Sequence, residues 1–78
     1  VNFLKNKVKK YQEKKLVEAK QKLEYYKDLK KDFEKQLKNS SQEESIEIQE
    51  NIVKQNEFID IWTKNINVIN KELQKLKS

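Results

Sequence analysis

Residues 48–76 read IQENIVKQNEFIDIWTKNINVINKELQKL, and within them Ile48, Ile52, Gln55, Ile59, Trp62, Ile66, Ile69, Leu73 and Leu76 recur at alternating steps of four and three. Positions at those steps fall on one stripe of an α-helix, which turns once in 3.6 residues. The alternation is a heptad repeat with one polar interruption, at Gln55, and it is the pattern by which helices pack as coiled coils.

Upstream, Leu16, Ala19, Leu23, Tyr26, Lys30, Phe33 and Leu37 follow the same steps. Earlier still, Val1, Leu4, Val8 and Tyr11 obey the rule displaced by one residue. An extra residue is therefore expected in the repeat between Tyr11 and Leu16, with a local change of supercoil. Between the two stripes, residues 39–45 read NSSQEES, a cluster of the short polar side chains that favour turns and helix caps. Ser41 with Glu44 fits a capping box, and Ser40 with Glu43 fits one a residue earlier. These signals predict an all-α fold: a first helix over about residues 2–39, a turn at about 40–42 and a second helix over about 43–77, closed as a two-helix antiparallel coiled-coil hairpin.

A chain that reverses near Ser41 pairs positions whose numbers sum to about 81. Leu37 then faces Ser45, Phe33 faces Ile48, Lys30 faces Ile52, Tyr26 faces Gln55, Leu23 faces Ile59, Ala19 faces Trp62 and Leu16 faces Ile66. Tyr11, Val8 and Leu4 are predicted to face Ile69, Leu73 and Leu76. Two layers carry extra information. The largest side chain falls opposite the smallest core residue, as constant helix separation requires. Gln55 falls opposite Tyr26, whose hydroxyl is expected to pair with the amide and hold the register.

Composition narrows the alternatives. The 78 residues contain no Gly, Pro, Cys or His, which weighs against tight β turns and leaves neither disulfides nor the commonest metal ligands. No cofactor or metal is expected. So short a chain buries little surface, and its stability has to come from regular helix packing, a partner chain, or both. Charged residues make up 40% of the sequence; that content suits disorder, and only the periodicity argues for a fold. No apolar run approaches the ~20 residues of a membrane span, and the start has no signal-peptide core, so the chain reads as soluble, with the cytoplasm slightly favoured and the compartment itself left unknown. A start at Val1 and the lack of Met read as an excerpt of a longer protein.

An enzyme is not expected, because two packed helices form no deep cleft and the usual acid–base and nucleophilic residues are missing. The carboxylates are spaced instead for surface pairs: Glu18 with Lys22, Glu34 with Lys38, Asp28 with Lys31 and Asp32 with Lys35. Asn39-Ser40-Ser41 matches a glycosylation acceptor, but a capping turn accounts for it.

Two surfaces remain for binding. On the second helix Phe58, Ile61 and Val68 widen the apolar stripe beside Trp62, with Tyr25 and Leu29 on the first helix as possible extensions of it. So wide a band calls for a further helical neighbour, either another protein or a second copy completing a four-helix bundle. Ile46 and Val53 lie apart and read as ordinary surface aliphatics. The alternative surface is the lysine-rich start, where Lys5, Lys7, Lys9, Lys10 and Lys14, with Lys15 and Glu13, give residues 1–15 a net charge of +5 while the rest of the chain is neutral. Those lysines suit a salt-sensitive anion-binding arm for nucleic acid or an acidic surface, although all eighteen basic residues are Lys and none is the Arg that reads guanine edges. A passive spacer cut from a longer rod is the third reading. It would also explain lysines at the positive end of a helix dipole.

Overall fold

The computed structural model describes residues 2–77, in which helix α1 (Asn2–Lys38) and helix α2 (Gln42–Lys77) are joined by a three-residue turn and lie antiparallel as a hairpin of 61 × 14 × 13 Å. Each helix stops or starts one residue earlier than the sequence boundaries given above. Val1, part of the predicted upstream stripe, lies outside the described residues.

The turn uses no left-handed residue, which fits a segment without glycine. α1 ends by tightening its last turn. Asn39 N–H donates to the Gln36 carbonyl at 3.1 Å, Ser40 N–H to that of Leu37 at 3.4 Å, and the Ser40 hydroxyl also donates to Leu37, at 2.9 Å. These bonds satisfy carbonyls that have no partner further along the helix. α2 opens on Ser41 as its cap, whose hydroxyl accepts from the Glu44 N–H at 3.3 Å while its carbonyl accepts from Ser45 N–H at 2.9 Å. The hydroxyl arm of the capping box is formed; a return bond from the Glu44 carboxylate is not among those made. Glu43 and Glu44 in the first turn and Lys75 and Lys77 in the last match the dipole of α2, whereas α1 begins with no acidic residue.

Burial follows the 4–3 stripe. All nine seam positions from Ile48 to Leu76 are buried or half-buried, as are the seven from Leu16 to Leu37. Phe33 and Ile48 line one groove, which places that layer as the position sum predicts. Yet the core is thin: among the described residues only Ala19, Ile69 and Gln55 are buried, at 1, 3 and 8% exposure. Ala19, predicted to face Trp62, is the most deeply covered.

The first three turns of α1 depart from the sequence reading. Leu4, Val8 and Tyr11 are exposed, Tyr11 at 60%, where positions on the seam are buried or half-buried. No extra residue enters the repeat. α1 runs unbroken through residues 11–16, and the line carried back from Leu16 at the same phase passes Gln12, Lys9 and Lys5, of which Gln12 alone is half-buried. Lys9 borders a groove with Leu16 and Leu73. Keeping the upstream stripe on the seam would require the helix to unwind locally to more residues per turn, and Gln12-Glu13-Lys14-Lys15 contains nothing that breaks or bends it.

Two smaller expectations also change. Tyr26 does not pair with Gln55: its ring stacks on Phe58, with centroids 4.8 Å apart, and Gln55 Oε1 is buried without a hydrogen-bond partner. None of the four predicted surface pairs closes. The ion pairs among the described residues are Asp60–Lys64 at 3.0 Å and Glu72–Lys75 at 3.4 Å, both exposed. Exposed pairs contribute about 0–1 kcal/mol, too little to decide the fold.

Candidate interaction face

Seven of the eleven exposed large apolar residues among those described share one rule of placement with the half-buried Leu29, while Phe3, Val17, Ile46 and Val53 fall outside it. Tyr11, Tyr25 and Leu29 each sit one position before a seam residue of α1, namely Gln12, Tyr26 and Lys30; Leu4 and Val8 do the same relative to Lys5 and Lys9. On α2, Phe58, Ile61 and Val68 precede the seam residues Ile59, Trp62 and Ile69. One position is a rotation of about 100°, so each set forms a flank beside the seam of its own helix. Reversing the chain direction and facing the opposite way both invert the sense of that rotation. The two flanks therefore lie on the same side of the hairpin.

An observed contact joins them. Phe58 of α2 stacks on Tyr26 of α1 at an interplanar angle of 21°, and Tyr25 meets the edge of Tyr26 at 5.2 Å and 73°. Both geometries suit aromatic quadrupoles, offset and edge-on. Phe58 thus spends one ring face within the hairpin while remaining 40% exposed. Ile61, Val68 and Tyr25 are exposed, and Trp62 and Leu29 half-buried. The residues singled out as a partner-binding band are accordingly brought to one side. Leu4, Val8 and Tyr11, assigned to the seam by their spacing, extend that side towards the chain ends. The polar seam residues Lys5, Lys9 and Gln12 directly after them were the signal that they face outward.

Charge is distributed along the same rod. Lys5, Lys7, Lys9, Lys10 and Lys14 are all exposed. Lys7 lies 4.8 Å from the centre of the Phe3 ring and Lys15 5.4 Å from that of Tyr11, cation–π contacts one helical turn apart in sequence that leave the ammonium groups at the surface. At the other end Glu43, Glu44, Glu47 and Glu50 are exposed beside the turn, and Glu44 and Glu47 rim the groove containing Phe33 and Ile48. Ile46 and Val53, each one position after the seam, are exposed on the opposite side of the hairpin, which Val17 of α1 shares.

Among the described residues no group of three or more Asp, Glu, His or Cys gathers to hold a metal, and no helix is long and apolar enough to cross a membrane. The surface hollows are open grooves along the helices. The arrangement offers a long helical face, apolar along its middle and basic and acidic at opposite ends. No protein-family model, curated protein or solved structure matches this chain, so that face is interpreted from its own chemistry.

Proposed function

We propose that the chain is a non-enzymatic protein-interaction module, a hairpin whose seam packs as an antiparallel coiled coil and whose Phe58–Ile61–Val68 flank, with Tyr25, Leu29 and the edge of Trp62, receives the helices of a partner. The observation that carries this reading is how little the hairpin buries on its own. It exposes 6455 Å², against about 5,000 Å² for a compact monomer of 9.5 kDa. The excess is of the order that one partner contributes to a protein interface. The flank that holds Leu4, Val8, Tyr11, Tyr25, Phe58, Ile61 and Val68 is the part of that excess a partner can use, while Phe3, Val17, Ile46 and Val53 are exposed elsewhere on the rod.

The experiment separates an interface from a core. Ile61→Ser and Val68→Ser are introduced singly, and urea unfolding is followed at a concentration dilute enough to keep the chain monomeric. An interface residue is predicted to cost the monomer no more than about 0.5 kcal/mol, the range of ordinary surface changes. A cost near that of core truncation, about 2–5 kcal/mol, would show that these side chains stabilise the hairpin itself and are not kept for a partner.

A second reading has one observation in its favour. The five lysines Lys5 to Lys14 are exposed and form no ion pair with a described carboxylate, as an arm for nucleic acid or another polyanion requires. Binding to a DNA duplex titrated with salt tests it; affinity indifferent to ionic strength would exclude it.

A further inference from the structure

We infer that the partner on this face is a second copy of the same chain, laid antiparallel to the first about a two-fold axis perpendicular to the rod. This rests on the interface reading above and identifies the occupant. The argument begins with where each residue lies along the hairpin. Positions near 20 on α1 and 60 on α2 mark its middle, since α1 spans Asn2–Lys38 and α2 spans Gln42–Lys77. A perpendicular two-fold through that middle sets each residue of one copy against the residues equally far from the middle, on the other side, in its mate.

The face is complementary to itself under that operation. Ile61, one residue from the middle, comes to the axis and meets its own equivalent. Tyr11, exposed near the basic end, falls at the level of the mate's Leu29. Leu4 and Val8 reach the level of the groove lined by Phe33 and Ile48 and rimmed by Glu44 and Glu47. At the rod ends the lysine-rich start, Lys7 and Lys10 included, comes level with the mate's Glu47 and Glu50, a match of end charge and not a contact on the face, since Lys10 follows the seam and lies on the other flank. Each match away from the axis occurs twice and the Ile61 contact on it once, as a closed isologous pair demands.

Charge decides between the two face-to-face orientations. A parallel pair would bring two segments of net charge +5 together at one end and two Glu43–Glu44–Glu47–Glu50 clusters together at the other. The antiparallel pair matches each cluster with its opposite, and complementary potentials of this kind select register and orientation. Area is adequate as well. One 61 × 14 Å side of the rod is roughly 850 Å², close to the ~800 Å² per partner of a standard interface. The paired hairpins form a four-helix bundle that covers Leu4, Val8 and Tyr11 along with the central band.

Sedimentation equilibrium of the full chain, joined to a spin-label distance, tests the pairing. The chain is expected to shift from monomer to dimer with concentration, without larger species. A nitroxide on Ser41→Cys, at the turn, is expected to lie about a rod length from its counterpart, on the order of 50–60 Å. Labels within ~20 Å would mean a parallel pair and overturn the inference. Lys7→Glu with Lys10→Glu is expected to weaken the dimer about tenfold, as is Glu47→Lys with Glu50→Lys, while the four changes in one chain restore it to within about threefold. Failure of that rescue, with helicity by circular dichroism intact, counts against the antiparallel match. A chain that stays monomeric at all concentrations refutes self-pairing; the monomer cost of Ile61→Ser and Val68→Ser then still decides whether the flank serves a different protein.

Discussion

Gln55→Leu is predicted to make the hairpin more stable. Gln55 is one of three buried residues among those described, and its Oε1 has no hydrogen-bond partner. An unsatisfied buried polar atom costs about 1–3 kcal/mol relative to a satisfied or absent one. Leu is close to Gln in volume and introduces no strain of overpacking, so most of that cost is recovered, about 2 kcal/mol. For a domain of this size 1 kcal/mol moves the thermal midpoint by about 4–8 °C, and the predicted rise is about 8–16 °C. Helix melting followed at 222 nm measures it. The comparison belongs at one low concentration, because dimer formation also raises the midpoint. Gln55→Ala is the control: it removes the same amide but leaves a void, and its gain is smaller. A midpoint for Gln55→Leu equal to or below that of the parent would refute the reasoning, showing that the amide is satisfied in solution. A second consequence is loss of specificity. A lone polar core residue penalises other registers and assemblies, so Gln55→Leu is expected to broaden the distribution of species as concentration rises.

Other expectations are simpler. Ser41→Ala removes the hydroxyl that accepts from Glu44 N–H and is predicted to cost about 0.5–2 kcal/mol in urea unfolding; no change would mean that α2 begins elsewhere. Tyr11→Ser and Leu16→Ala differ sharply, because Tyr11 stands off the seam and Leu16 on it: the first is predicted to change monomer stability by less than about 0.5 kcal/mol and the second to cost about 2 kcal/mol or more. Equal losses at the two sites would restore the extra residue in the repeat. A double-mutant cycle between Tyr26→Ala and Phe58→Ala is predicted to return a coupling of about 0.5–1.5 kcal/mol for the stack, and a coupling near zero would remove the contact that joins the two flanks.

The hairpin was legible because its two determinants are local. Apolar steps of four and three, and serines that bond to backbone more readily than they sit inside a helix, state where the chain is helical and where it turns. The deep burial of Ala19 was legible as well, since a seam of constant width calls for a small side chain where the facing one is large. The phase of the first three turns was not. Leu4, Val8 and Tyr11 match the template as well as Leu16, Ala19 and Leu23 do, and spacing alone cannot say which stripe a continuous helix turns towards its neighbour. The helix settles it by rigidity, because seven turns in register downstream fix the rotation of the three upstream. The aromatic contact was missed for a related reason. Tyr26 had two acceptable uses, a hydrogen bond to Gln55 or a stack on Phe58, and nothing in the residue types ranks an exposed ring above a buried amide. That one misreading of phase hid much of the interaction face, since the residues taken as core at the chain ends are those that lengthen it.

The central claim is that an apolar flank stands outside the seam and is covered only by a partner. Hydroxyl-radical footprinting of the chain at two concentrations tests it most directly, with Tyr11 and Ile69 as the pair to compare. In the dilute monomer Tyr11, 60% exposed, is predicted to be oxidised at close to its rate in an unfolded peptide, while Ile69, 3% exposed, is protected; at high concentration, or with the true partner present, Tyr11 becomes protected too. If Tyr11 is already as protected as Ile69 in the monomer, it belongs to the seam, and the extended face proposed for this hairpin does not exist.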